Sequence, residues 1–312
     1  MQLETELKIA RRAAELLKEA KPPKERFPAI KEMAAEGLPI QTAFRMLEVS
    51  ESGFYAWRSR PPSERQLRHA WLTDLVTEIH LASRQTYGSI RVHAELTLGR
   101  GIAVGRHQVE LVMRRAGLRG VVGRRKRPRI DRPDAIAADL VDRSFARNGP
   151  DELWVTDITE HPTREGKVHC AVVLDAFSRR VVGWSIDASP TAALVTGALG
   201  MAIDPRKPSG TLIHSDQGTQ FTSWAFTHRA KASGLVPSMG SIGDCYDNAM
   251  IEAFWSRMQV ELLDRQRWRT RVELANAIFE YLEIFHNRQR CHSALEMLTP
   301  LEFEARQLTV VA

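Results

Sequence analysis

A mixed α/β layer fold preceded by all-α modules is what the sequence predicts for this chain of 312 residues. Three observations point there. The apolar period changes from helical to strand-like after residue 151. Strand-like runs then give way to alternating helix and strand patterns, which build layered α/β folds. The charge balance shifts at the same place: residues 1–150 hold 28 Lys and Arg against 18 Asp and Glu, whereas residues 151–312 hold 16 against 20. A basic front half suggests that the front holds a polyanion and the back does other work, with a solvated basic surface as the alternative.

Length and composition limit the classes further. The chain suits two or three domains, and 43% hydrophobic residues make it globular. No apolar run approaches the roughly 18 residues of a membrane span, and "MQLETELKIARRAAELLKEA" is too charged for a signal peptide. Cys170, Cys245 and Cys291 form no CxxC pair, so neither a disulfide framework nor a zinc site is expected, and a reducing cytoplasm is the natural setting.

Along the chain, Leu3, Leu7, Ala10, Ala14 and Leu17 mark an amphipathic helix in residues 1–20. Prolines 22, 23 and 28 are expected to break it. One short helix then ends at Gly37, a second covers Ile40–Leu47, and Ser50 is placed to cap a third that carries Phe54, Tyr55 and Trp57. Ala43 is small enough for close approach, which suits a helix-turn-helix with Arg58 and Arg60 at its end. Residues 67–117 form a second helical set, with an apolar stripe of Leu72, Leu75, Val76 and Ile79 and a last helix ending in Arg114 and Arg115. "RGVVGRRKRPR" follows, with Arg124, Arg125, Lys126, Arg127 and Arg129 in an extended run that could lie along phosphates or be a solvated linker. The main domain boundary is expected near 130–148.

The back half opens with the strand "ELWVTDITEHP", continues as two strands around a turn near Ser178, and has a helix at "TAALVTGALGMAI". "TLIHSDQGTQF" reads as a buried strand that opens onto Asp216 and the flexible Gly218. A helix ending at Gly234, a short strand, a loop rich in Gly, Asp and Asn, and the helix "NAMIEAFWSRMQVELL" complete it. Asp157 ends the first strand as Asp216 ends the fourth, and Glu252 lies early in the later helix with 35 residues between it and Asp216. Three carboxylates from separate elements repel one another unless a cation joins them. Oxygen ligands alone suit Mg²⁺ or Mn²⁺, and two such ions can promote phosphodiester chemistry. Among other carboxylates, Asp175 fits a turn cap, Glu160 the opposite strand face, and Glu261 a position some two and a half turns beyond Glu252.

"LWVTDIT", "VVLDAFSRRVVGW", "HSDQGTQF", "DNAMIEAFWSRMQVEL" and "HNRQRCHSALEMLTPLEF" resemble the successive motifs of insertion-sequence-3 family transposases, relatives of retroviral integrases, over about residues 38–306. The resemblance implies a ribonuclease-H-like mixed sheet with flanking helices and a DD(35)E triad of Asp157, Asp216 and Glu252 as catalytic metal ligands. It implies two Mg²⁺ ions, with Mn²⁺ as a substitute, and double-stranded DNA substrates: the element's terminal inverted repeats and a target. It also implies a homo-oligomer on paired ends in a bacterial, nucleoid-associated setting. One departure concerns the basic residue usual seven positions after the glutamate, here Gln259, with Arg257 rotated off that face. In "HNRQRCHSAL", Asn287, Arg290 and His292 match and His286 replaces a tyrosine; the resemblance raises a role in closing the site or holding DNA, against a plain helix-terminal cap.

The expected division is 1–20 (helix, possible end of a coiled coil), 27–62 (helix-turn-helix), 67–117 (second helical DNA-binding module), 118–148 (basic linker), 149–265 (catalytic core) and 266–312 (C-terminal helical segment). DNA contacts are expected from Arg58, Arg60, Arg114, Arg115, the basic run, Arg257, Arg290 and His292. The expected activity is strand cleavage and strand transfer without a covalent protein–DNA intermediate; the alternative is a catalytically inactive, transposase-derived regulator. The family's frameshift fusions suggest an upstream-frame zipper partner that residues 1–20 would continue, whereas a helix docked on its own front domain is the plainer alternative.

Overall fold

The computed structural model describes residues 2–18, 22–121, 147–239 and 249–311. The basic run from Arg124 to Arg129 and the loop with Asp244 and Asp247 lie outside the described residues. The chain divides into two compact units, Met1–Trp71 and Leu72–Ala312.

The first unit holds helices α1 (Gln2–Lys18), α2 (Pro23–Ala35), α3 (Ile40–Met46) and α4 (Glu51–Ser59), and α5 (Glu64–Ala82) begins in it. Ile9, Ala13, Phe27, Ile30, Met33, Ala43, Phe44, Leu47 and Phe54 form its core. Ser50 caps α4 as its sequence suggests: its Oγ accepts a hydrogen bond from Gly53 N at 3.2 Å. Two expectations change. Helix α2 starts at Pro23 and runs through Pro28, where a break was expected. Pro23 occupies the first turn, whose N–H has no helical partner in any case, and burial of Phe27, Ile30 and Met33 outweighs the one hydrogen bond lost at Pro28. Helix α1 packs on its own unit through Ile9 and Ala13, one face round from the expected stripe, and Leu7 is 55% exposed.

The second unit is built on a five-stranded sheet in the order β3-β2-β1-β4-β5. Strands β1 (Leu153–Thr163), β2 (Gly166–Asp175) and β3 (Val181–Asp187) form an antiparallel meander, and β4 (Leu212–Ser215) and β5 (Val236–Met239) add in parallel. This is the ribonuclease-H-like mixed sheet. Because strand side chains alternate, Ala171 and Val173 of β2 enter one core with α8 (Ala192–Arg206) and α9 (Trp224–Ala232), whereas Cys170, Val172 and Leu174 enter the other. Gly183 lets α8 lie close on the sheet: a Cβ there would sit 2.2 Å from Ala198 O.

The other face is covered by α10 (Ala249–Glu261), α11 (Arg271–Phe279), a π-helical stretch Glu280–Gln289 and the helices from the chain's front: α5, α6 (Ser89–Ala94) and α7 (Arg106–Arg115). Leu72, Val76, Val92, Val109 and Val112 share one apolar cluster with Leu153, Val172 and Met250. Tyr87 reinforces the junction, its hydroxyl donating to Gln289 O at 3.0 Å and accepting from Cys291 N at 2.7 Å. The compact units therefore part at 71/72; the boundary expected near 130–148 lies almost wholly outside the described residues. The Leu72–Val76–Ile79 stripe finds its apolar partner in the back half. Helix α12 (Pro300–Val311) closes the chain; Glu304 joins it to Arg206 at 2.8 Å and to Arg180 at 2.8 Å.

Candidate active site

Register brings two of the carboxylates side by side. In the parallel pair β1–β4, Val155 stands opposite His214. Asp157 and Asp216 each lie two residues further on and so have the same parity, but only Asp216 stands just past the end of its strand. Asp157 sits in the middle of β1, not at its end as the sequence suggested, because pairing with β2 continues the strand to Thr163. The buried run Leu153–Thr156 and the buried Ile213, His214 and Ser215 show that both faces are covered here, so a slip of one residue would exchange the side chains fitted to the two cores. Beyond β4 the chain turns, and Gly218 N donates to Asp216 Oδ1 at 3.0 Å.

Asp157 is half-buried, and its two carboxylate oxygens accept from Ile158 N at 2.8 Å and Trp255 Nε1 at 3.0 Å. Its carboxyl is nevertheless pushed up to about 6. Burial is the main cause, and the negative charges of Asp216 and then Glu252 add to it, against the two hydrogen bonds. The neighbouring charges that act on Asp157 thus repel it, which is the electrostatic condition of a cation site.

Glu252 is exposed in the first turn of α10. Trp255 is one turn further along the same face, so its bond to Asp157 ties that face of α10 to the middle of β1. Sequence reading passed over Trp255; its spacing of three from Glu252 in "IEAFW" is the signal that could have found it. Gln259 continues this face and donates to Asp264. Among the described residues no three acidic, imidazole or thiol groups are clustered tightly enough to enclose a metal as they stand. Asp175, in contrast, is a buried turn cap that accepts from Ser178 N at 2.8 Å, Ser178 Oγ at 2.9 Å and Asp151 N at 2.8 Å.

The C-terminal motif faces inward. The Asn287 amide pairs with the backbone of β3, accepting from Val181 N and donating to Val181 O, both at 2.9 Å. His286 is held neutral, its ring pushed down to about 4 by burial and by Arg290, so Nε2–H donates to Arg179 O at 2.8 Å. Arg290 is 3% exposed and grips Glu261 at the end of α10 with two bonds, Nε to Oε2 at 2.7 Å and Nη2 to Oε1 at 2.8 Å. The Tyr281 hydroxyl adds a third at 2.9 Å. Burial raises the Glu261 carboxyl, but Arg290 outweighs it and holds the group below its usual value. Arg290 therefore differs from the open DNA contact that the sequence suggested: its fork is spent on a buried carboxylate. His292 lies beside it, partly buried, with Arg290 Nη1 at 3.2 Å. Arg58, Arg60, Arg114, Arg115 and Arg257 are exposed.

Comparison with known proteins agrees with this architecture. An HTH-like domain family matches residues 66–127, and two integrase core domain families match residues 147–245 and 233–300. The chain is 34% identical over 275 residues to transposase InsF for insertion sequence IS3A of Escherichia coli (strain K12), covering 86% of this chain and 95% of that protein. It is 37% identical over 228 residues to the transposase for insertion sequence element IS629 of Shigella sonnei, covering 73% and 77%. Among solved structures it is similar to the HTLV-2 integrase catalytic core domain in complex with magnesium, at 22% identity and a TM-score of 0.36 over 50% of this chain and 97% of that one.

Proposed function

Because the chain belongs to the insertion-sequence-3 family of transposases, we propose that Asp157, Asp216 and Glu252 are the residues with which it cleaves and joins DNA strands. The chain is a DDE transposase, a polynucleotidyl transferase, and its helix-turn-helix-like and integrase core domains bind DNA. The observation that carries the assignment of residues is the β1–β4 register, which aligns Asp157 with Asp216, together with the Trp255 bond that sets the Glu252 face of α10 beside them.

The integrase core depends on a divalent metal. The donor set fits a hard cation: three carboxylates from separate elements, with Asp157 raised in pKa first by burial and then by its acidic neighbours. Mg²⁺, with Mn²⁺ as substitute, and two ions per site are the finer proposal. When bound, such ions activate a water or a sugar hydroxyl and stabilise the leaving oxygen of a phosphodiester. The chain's own part is positional. Ile158 N and Trp255 Nε1 fix the Asp157 carboxylate, Gly218 N fixes Asp216, and the Arg290–Glu261 pair anchors the far end of the helix that carries Glu252. Each ligand keeps lone pairs for a cation while its orientation is held.

For DNA, Ser50-capped α4 is proposed to enter a major groove at the element's terminal inverted repeat, with Arg58 and Arg60 on the backbone and Arg114 and Arg115 on a second stretch. The basic run from Arg124 to Arg129 is proposed to add salt-sensitive affinity. Assembly as a homo-oligomer on paired ends, and partnership with an upstream-frame zipper through the outward stripe of α1, complete the proposal.

A strand-transfer assay on the element's own end sequences, with wild type beside Asp216→Asn, tests the assignment. The variant is expected to bind the ends and to join none. Strand transfer surviving in Asp216→Asn overturns the triad, and a wild-type chain that binds but never joins favours the inactive regulator.

A further inference from the structure

Behind α10, on the flank turned away from Glu252, lies a cavity of about 240 Å³ whose charges do not balance. Its walls are apolar, from Leu174, Met250, Ala253 and Phe254, and four arginines reach it: Arg91 of α6, Arg179 of the β2–β3 turn, Arg257 of α10 and Arg290. They come from four separate segments of the second unit. Glu261 is the carboxylate at hand, and Arg290 and Tyr281 already occupy it. Arg91 approaches it only to 3.7 Å. The Arg179 guanidinium has no anionic partner among the described residues, and burial alone lowers its pKa. The remaining rings supply no negative charge. The His292 ring is held down by burial first, then by His286, Arg290, Arg91 and Arg179 in turn, which shows how closely these cations converge. Arg257 adds repulsion on Arg91.

Apolar walls around four guanidinium groups that share one carboxylate, Glu261, form an anion site. Guanidinium forks match the oxygens of a tetrahedral oxyanion, and low local dielectric strengthens the attraction. The volume holds a phosphate group and is far too small for a duplex. Arg257, Ser293 and Ala294 are exposed, so the mouth is open to solvent. Backbone geometry keeps the cations in place: the β2–β3 turn is capped by Asp175, and Arg179 O is held by His286.

We propose that this cavity binds a phosphate group through Arg91, Arg179 and Arg257, with Arg290 neutralised by Glu261, and that the group is a backbone phosphate of the bound DNA. The DNA part rests on the transposase function; the phosphate chemistry does not. Arg257 lies five residues beyond Glu252, about 7.5 Å along the α10 axis and round on its other flank, so the phosphate it takes belongs to DNA that passes over α10 and not to the strand held at the carboxylates. The site is separate from the triad and gives α10 a DNA contact that Gln259 does not.

Two measurements on the full chain test this, using wild type, Arg257→Gln and Arg179→Gln/Arg257→Gln. The first follows Tm as inorganic phosphate replaces chloride at constant ionic strength. The second measures affinity for an end-sequence duplex as a function of salt. Wild type is expected to gain Tm with phosphate, and the double variant to lose that gain. The slope of log affinity against log salt is expected to fall by about 1 in the double variant, the value of one phosphate contact. Arg257→Gln alters one exposed side chain, so it folds and must show part of both effects. Loss of the phosphate response with an unchanged DNA slope assigns the cavity to free phosphate and overturns its DNA role. No change in either measurement overturns the site. Failure of the triad reads out separately, as strand transfer that survives Asp216→Asn whatever the cavity does.

Discussion

Helix α10 carries two glutamates nine residues apart, Glu252 and Glu261, that live under opposite conditions. Glu252 is exposed in the first turn, and its charge adds to that of Asp216 in raising Asp157. Glu261 is buried at the last turn, with three hydrogen bonds from Arg290 and Tyr281. A buried, compensated pair costs and returns similar amounts of free energy and serves chiefly to fix geometry. An exposed carboxylate that adds to the repulsion on a half-buried neighbour weakens the fold and is useful where a cation is to bind. One end of the helix is thus an anchor and the other a tool, and the difference separates residues that hold the site from residues that act in it.

The sharpest way to break this comparison is at the open end. Asp216→Asn, or Glu252→Gln, is expected to lower strand transfer by more than about 1,000-fold with the thermal midpoint unchanged or raised. A large loss of stability alongside the activity would place these carboxylates with the anchors.

At the closed end the effect should be on folding. Arg290→Met leaves a buried carboxylate without its partner and is expected to cost about 3–5 kcal/mol in urea denaturation, whereas Arg290→Met with Glu261→Met should recover most of it. A single-variant cost under about 1 kcal/mol would show that the pair is no anchor.

The pH dependence of stability separates the two ends again. Burial first, and then its acidic neighbours, push the Asp157 carboxyl up to about 6 in the folded chain, from an ordinary 3.8. A carboxyl raised on folding favours the folded state when protonated, so its contribution is fully present below about 4 and is lost as pH rises through 6. Asp157→Asn should therefore stabilise the metal-free protein at pH 8, by an amount on the order of 2 kcal/mol, and do little at pH 4. Glu261 has the opposite sign: its value is depressed, so its contribution fades as pH falls. Equal stabilisation by Asp157→Asn at both pH values would contradict the repulsion assigned to the open end.

The smallest expected effect concerns Gln259, on the Glu252 face and paired with Asp264. Gln259→Lys keeps that acceptor within reach and restores the basic residue common in the family. DNA affinity should rise a few-fold at low salt, with a salt slope steeper by about 1. An unchanged slope would show that DNA does not pass along this face.

Much of the fold was legible in sequence because it depends on local patterns. Period-2 runs, the Gly218 turn and the Ser50 cap express themselves within a few residues, and the strands and helices stand where those patterns put them. The candidate triad was legible because acidic residues on separate elements without local cations are unusual, and because the motifs around them resemble a known family. That Asp157 stands in mid-strand was not, since the pairing that carries β1 on to Thr163 comes from β2. The limits were equally physical. A proline signals the loss of one hydrogen bond, but its sequence says nothing of the apolar contacts that carried α2 through Pro28. An amphipathic stripe shows that a helix can bury a face, yet not which one: α1 chose Ile9 and Ala13 over Leu7.

What the sequence by itself determined, then, is the order and type of the elements and the identity of the acidic residues, since both follow from short-range chemistry. What only the tertiary structure decided are pairings between distant segments. Arg290 reads as a DNA ligand until Glu261 is found against it, and Arg179 reads as a turn residue until it is seen beside Arg91 and Arg257. Trp255 had no role until Asp157 of β1 met its indole. The reason is that charge compensation depends on distance through space, falling as its inverse and rising with burial, and spacing along the chain carries neither quantity.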